Sequence, residues 1–480
     1  MSKRVAIVGA GMGGLSAAIY SRLAGWEVDV YEQASKVGGK AAGIEQSGYR
    51  LDPGPSIIIL PRIYEHVFQT AGRNMADYLS FTRLDPFSRV YYEGEEPLDL
   101  PADRDECLAT LEDRFPRDAT SFRLLMGKLD RVAPHIDRSI FKGPIDQSWK
   151  LANPHLMAVA LQFNMRASYR QLVDDWFKSP LLRAFFYGFP SYGGQSYDSR
   201  APGALLIPYL MLQEGVFYPK GGVAAIPAAF ERLALELGVR IHLNKRVMGL
   251  KILNRRVRGI EVEGQLEACD AVISNLDRFS TAKWLGRVHT ESPSFSYFTV
   301  HWGIKRPVGG LAHHTLFVPA KFESGFERLY SDRCFPDPPI VYLNATHLVD
   351  PAVAPAGHSN LFAVVTSPGM EPRIDWPAEV ARCRTLVLNQ LTNHGIHWTE
   401  DDIVFERIQT PVYFAETHGN YLGSLYGLDE RHRLFGLLPH RNYDEQVKNL
   451  FYCGGSVQPG AGLPMVTLSG KFAAERLPRL

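Results

Sequence analysis

The chain opens on a run too apolar for a half-exposed strand. Arg4–Val8 is almost wholly hydrophobic, the pattern of a strand covered on both faces in a parallel sheet. Over residues 15–23 the apolar positions recur at helical spacing, and Gly25 stands where such a helix ends. Residues 28–31 form a second buried-strand run, which predicts a strand–helix–strand unit. Residues 57–60 are apolar and lead into a helical pattern through Tyr64, Val67 and Phe68. Ser88–Tyr92 and residues 97–100 flank a turn containing Gly94 and predict a hairpin. Asp103, with Glu106 three places on, predicts a helix start. From there to Tyr209 the pattern is helical, with an apolar stretch at 156–163 and an aromatic crowd from Trp176 to Tyr192. A helix over 225–237, closed by Gly238, precedes strands at 239–243, 247–250, 256–262 and 270–275. Further strands are predicted at 298–302, 315–318, 340–344 and 361–365, in a region of α+β character.

Chemistry enters at the first strand–helix junction. Gly9-Ala10-Gly11-Met12-Gly13-Gly14 is a G-x-G-x-x-G loop. In such a loop Gly9 permits the tight turn, Gly11 admits a pyrophosphate to the backbone, and Gly14 lets helix and strand pack closely. The helix start supplies free N–H groups and partial positive charge. Glu32 closes the second strand, placed to accept from an adenosine ribose, which favours FAD or NAD over NADP.

Three later segments carry a resemblance. Glu32 is followed by Val37-Gly38-Gly39-Lys40 and then by Leu51-Asp52-Pro53-Gly54-Pro55-Ser56. Near the other end stands Cys453-Gly454-Gly455-Ser456-Val457-Gln458-Pro459-Gly460-Ala461-Gly462-Leu463-Pro464-Met465. This order resembles the phytoene desaturase-type carotenoid oxidoreductases of the flavin amine oxidase superfamily. Lys40 departs from the commoner arginine and lacks its bidentate fork. Gln458 departs from the usual histidine. The resemblance implies FAD as cofactor, held by Gly9, Gly11, Gly13, Gly14, Glu32, Gly39, Lys40, Gly54, Pro55, Ser56, Val247, Asn275, Gly455, Leu463, Pro464 and Met465. It also implies a discontinuous Rossmann-like α/β FAD-binding domain at 1–70, 215–295 and 440–480. An α+β substrate domain would take 71–104 and 296–439, and a helical insertion 105–214. Asp52, His313 and His314 are acid/base candidates only through motif neighbourhood. Neighbouring residues on a strand face opposite ways, so the histidine pair predicts no metal site.

Composition narrows the classes. The 480 residues are 45% hydrophobic and 21% charged, with net charge +1, which gives no field for nucleic acid. Five scattered cysteines predict neither a disulfide framework nor a zinc site. A strand beginning this early predicts no signal peptide, and no apolar run has the length of a membrane span. The resemblance implies desaturation of a long apolar carotenoid or isoprenoid by hydride transfer to the flavin. Redox-neutral isomerisation, terminal carotenoid oxidation, amine oxidation and a non-catalytic prenyl-binding escort are the alternatives. A bilayer-dissolved substrate predicts a cytoplasmic enzyme bound peripherally to the inner membrane face, and a homo-oligomer is possible. Two apolar patches, one at Leu156, Met157, Val159, Ala160 and Phe163 and one at Leu205, Leu206, Ile207, Tyr209, Leu210 and Met211, are expected to make that contact.

Overall fold

Three distant stretches of chain build one parallel sheet. In this computed structural model, which describes residues 3–145, 153–164, 166–200, 202–429 and 440–478, its strand order is Leu450–Tyr452, Ala271–Ser274, Arg4–Val8, Glu27–Tyr31, Arg240–His242. Every neighbouring pair is parallel. The unbroken hydrophobicity of the first strand follows from cover on both faces. Val5 and Ile7 pack with Leu15, Ile19, Phe230 and Ala473 of three helices, Met12–Leu23, Ala225–Glu236 and Leu463–Ala474. Ala6 and Val8 pack instead with Val257 and Ile260 of a three-stranded antiparallel sheet. The first and last helices meet backbone to backbone: a Cβ on Gly470 would overlap the Gly13 carbonyl oxygen. Ser16 Oγ donates to the Thr467 carbonyl at 2.7 Å across the same contact.

A second sheet has seven strands, in the order Ile403–Gln409, Ser296–Ile304, Ser359–Ser367, Val341–Asn344, His314–Val318, Ser88–Tyr92, Leu98–Leu100. The hairpin predicted at 88–100 supplies its last two strands. Side-chain alternation gives the sheet two different faces. Phe298, Val300 and Trp302 turn toward a core that includes Cys383, Val387 and Leu391 of the helix Trp376–Thr392. Tyr297 and Thr299 turn the other way and border a cavity. The strands Gln265–Ala268 and Ile403–Gln409 were not predicted, because charged residues break their apolar pattern.

Over that cavity lies the insertion, including the helices Pro116–Asp137, Pro154–Gln162, Pro180–Tyr187 and Leu206–Gln213. Its aromatic crowd divides: the Phe177 and Phe186 rings stack in the core at 4.5 Å, and Phe185, Phe189 and Tyr192 border the cavity. The second expected surface patch is overturned. Leu205, Tyr209 and Met211 are buried, and Leu206, Ile207 and Leu210 border the cavity. A helix apolar on all sides finds its partners inside the protein. In the first patch Phe163 is buried, Val159 is half-buried, and Met157 is 56% exposed, while the side chains of Leu156 and Ala160 lie outside the described set. Leu161, one turn beyond Met157, is 82% exposed. No helix among the described residues is long and apolar enough to cross a membrane.

Candidate functional site

One continuous cavity of about 1680 Å³ runs from the first glycine loop to the helices of the insertion. That exceeds the usual range for one small-molecule pocket and has room for a cofactor and a substrate together.

Backbone forms the first half. Gly9 and Gly38 have φ of +93° and +110°, in the region that favours glycine. Gly11 and Gly38 pair as an isolated parallel bridge, which sets the two glycine loops side by side. A Cβ on Gly14 would overlap the Gly9 carbonyl oxygen, so this residue serves helix–strand packing and does not border the cavity. On Gly11 and Gly13 a Cβ would press on Asn275, 2.8 Å from its Nδ2 and 2.6 Å from its Oδ1 respectively. Gly54 gives way to the Lys40 carbonyl in the same manner.

Two helices begin at the cavity without a side-chain cap, Met12–Leu23 behind Gly11 and Leu463–Ala474 behind Gly462. Their first N–H groups have no partner within the helix and suit an anion at one start and a polar ring edge at the other. Glu32 accepts from Ala10 N at 2.7 Å and Ala34 N at 2.9 Å, which holds its carboxylate at the cavity wall. Lys40 Nζ donates to Asn420 Oδ1 at 3.1 Å. Lys40 is exposed to the cavity, and desolvation by the protein around it pushes its pKa down against the pull of Asp277, so an added anion there would be welcome. Gly39, Pro55, Ser56, Val247, Gly455, Leu463, Pro464 and Met465 also border the cavity. Glycine turns, uncapped helix starts, one lysine and one ribose-facing acid form a donor set that fits a dinucleotide.

Side chains form the second half. Ile136, Phe141, Phe185, Leu206 and Leu210 of the insertion face the two-sided sheet across the cavity. Of the three acid/base candidates, only His314 borders it. Its Nδ1 lies 2.6 Å from the Tyr342 hydroxyl, which lies 2.8 Å from Ser56 Oγ. Burial drives the His314 pKa well down and keeps the ring neutral. His313 is turned off the cavity against the Tyr218 ring, and burial lowers its pKa to about 3. Asp52 also lies off the cavity, where it accepts from Ala224 N at 3.4 Å beside the start of Ala225–Glu236. Burial raises its pKa to about 6 despite the Val223 and Ala224 amides. Among the described residues no three His, Cys, Asp or Glu side chains gather to hold a metal ion.

Sequence reasoning missed Tyr297, Tyr342 and Tyr426, all of which border the cavity, as does Tyr192 of the aromatic crowd. A signal existed for Tyr297, because an apolar strand with Phe298, Val300 and Trp302 facing the core must turn Tyr297 and Thr299 elsewhere. Tyr426 comes from an irregular segment that carried no such signal.

Comparison with known proteins agrees with this geometry. The family model for flavin containing amine oxidoreductase matches residues 12–478. The chain is 31% identical to a 4,4'-diapolycopene oxygenase of Methylomonas sp, covering 99% of this chain and 98% of the relative. It is 29% identical to a 4,4'-diaponeurosporene oxygenase of Staphylococcus aureus, with the same coverage of each. Among solved structures, an oxidoreductase from Methanosarcina mazei is similar in fold, with a TM-score of 0.64 at 17% identity over 98% of this chain and 100% of that one. The chain belongs to the flavin containing amine oxidoreductase family and is an FAD-dependent enzyme.

Proposed function

We propose that this enzyme oxidises one end of a long acyclic carotenoid, with FAD at the glycine-lined half of the cavity and the polyene in the apolar half. The observation that carries the reading is continuity: one cavity joins the dinucleotide loops to the apolar wall of the insertion. The two carotenoid relatives, alike over their whole lengths, support the substrate class, and their names favour oxygenation over desaturation. Desaturation is the second reading, supported by the length of apolar wall, which suits a hydrocarbon along its whole run.

FAD, when bound, supplies a two-electron acceptor for hydride. The helix start behind Gly11, with Lys40, would hold the pyrophosphate. Glu32 would take the ribose, the backbone near Val247 would meet the adenine, and Asn275 would brace the glycine turn. Gly54, Pro55 and Ser56 from one side, and Gly455, Leu463, Pro464 and Met465 from the other, would enclose the flavin end. Leu206, Leu210 and Phe185 would orient the polyene and exclude water. The Tyr342 hydroxyl lies in hydrogen-bond reach of both Ser56 Oγ and the neutral His314 Nδ1.

A carotenoid must come from a bilayer, and we place the contact on Pro154–Gln162, where exposed Met157 and Leu161 precede exposed Arg166. The test of function is FAD-reconstituted protein given acyclic carotenoids in vesicles. The expected result is a product that has gained an oxygen atom from water at a terminal carbon, its two electrons passing to the flavin, which bleaches when oxygen is excluded as the reoxidant. A product short of two hydrogens would establish desaturation, and an unchanged mass formed only with reduced FAD would establish isomerisation.

A further inference from the structure

The apolar half of the cavity is interrupted in one place. Tyr297 projects from Ser296–Ile304, Tyr426 from the loop after residue 423, and Tyr192 from the 3-10 turn Phe189–Gly193. The Tyr297 and Tyr426 hydroxyls lie 2.8 Å apart. Tyr192 stands beside Tyr297 and Tyr342, and its hydroxyl has no hydrogen-bond partner among the described residues. The backbone makes room for this group: Gly194 has φ +72°, and a Cβ there would overlap Tyr426. Burial raises the pKa of all three phenols, so each keeps its proton.

The chemistry of these groups selects a ligand. In the Tyr297–Tyr426 pair one O–H is used within the pair, and the other is shared between Ser191 and the cavity. Tyr192 adds a second donor. Two neutral donors suit a carbonyl or hydroxyl oxygen. Among the described residues these three phenols interact with other tyrosines and Ser191, all neutral, so no fixed charge among them complements a carboxylate or an ammonium. Tyr192 borders the cavity and is 37% exposed, so a pure hydrocarbon laid over it would shut that donor away from water unpaired, at a cost of about 1–3 kcal/mol. Tyr342, bonded to Ser56 beside Gly54 and Pro55, sets this cluster next to a segment proposed to enclose the flavin.

We propose that Tyr192 with the Tyr297–Tyr426 pair is a subsite for an oxygen atom on the end of a polyene, so that a chain already oxygenated at that end binds in preference to the hydrocarbon. This rests on the reading of the cavity as a polyene site. The test is equilibrium binding to the FAD-reconstituted protein, followed by the shift in polyene absorption. Four polyenes of equal length would be used, ending in a methyl group, a primary alcohol, an aldehyde or an amine.

The expected result is that the alcohol or the aldehyde binds about tenfold more tightly than the hydrocarbon, the worth of one to two hydrogen bonds. Tyr192→Phe and Tyr426→Phe should each cut that ratio several-fold, with flavin absorbance reporting the fold. Because the Tyr192 hydroxyl bonds nothing in the described protein, Tyr192→Phe removes only the proposed contact. Equal affinities, or a ratio unchanged in both variants, would overturn the subsite while leaving the polyene reading intact. Preference for the amine would replace it with an aromatic cage for a cation. If none of the four binds, the subsite falls together with the polyene reading.

Discussion

At one end of the cavity the groups that face a ligand are backbone N–H and C=O atoms at glycines and helix starts. At the other end they are side chains drawn from a sheet face, a 3-10 turn, a loop and the helices of the insertion. Backbone geometry tolerates almost no substitution, because an added Cβ at Gly14 or Gly54 meets main-chain oxygen, which cannot rotate away. A wall of leucines and phenylalanines tolerates exchange at constant volume. The first end can serve one cofactor across many enzymes, and the second can be recut for different substrates on the same frame.

The sharpest way to break that contrast is Gly14→Ala. One methyl group driven onto the Gly9 carbonyl oxygen should cost about 3 kcal/mol and abolish flavin binding, read by thermal melting and by absorbance. A variant as yellow and as stable as the parent would show that the loop has slack.

A smaller effect is expected from Leu206→Glu in the apolar wall. Placing a carboxylate against the polyene path should weaken polyene binding by tenfold or more, about 2 kcal/mol, while flavin content holds. Loss of flavin as well would mean that the two halves are not separable.

Asp52→Asn probes a motif residue that lies off the cavity. Its folded pKa of about 6 stands above the ordinary 3.8, so in the parent this group's contribution to stability is present below the lower value and is lost as pH rises through the higher one. The asparagine variant should flatten that decline, worth about 1 kcal/mol after allowance for solvent access, while turnover persists. A collapse of turnover with the fold intact would return Asp52 to the chemistry.

Leu161→Glu should have the smallest effect on stability, within about 0.5 kcal/mol, because the residue is 82% exposed. Vesicle flotation should nevertheless weaken. Unchanged flotation would move the membrane contact to another face.

The sequence by itself determined the strand–glycine–helix–strand unit, the acid that ends it, and the flavin segments near both ends of the chain. Those features are local: a turn at positive φ favours glycine, a strand covered on both faces must be apolar, and a helix start left without a side-chain cap keeps its N–H groups free for a ligand. Only the tertiary structure decided which of Asp52, His313 and His314 borders the cavity, because motif neighbourhood does not fix the direction of a side chain. It also decided the fate of the apolar segment at 205–211. Hydrophobicity says that such a helix avoids water, but the neighbouring elements determine whether it meets lipid, core or substrate. The Tyr297–Tyr426 pair lay beyond reach for the same reason: its members stand 129 residues apart along the chain, and the second sheet and the loop folded over it bring their hydroxyls together.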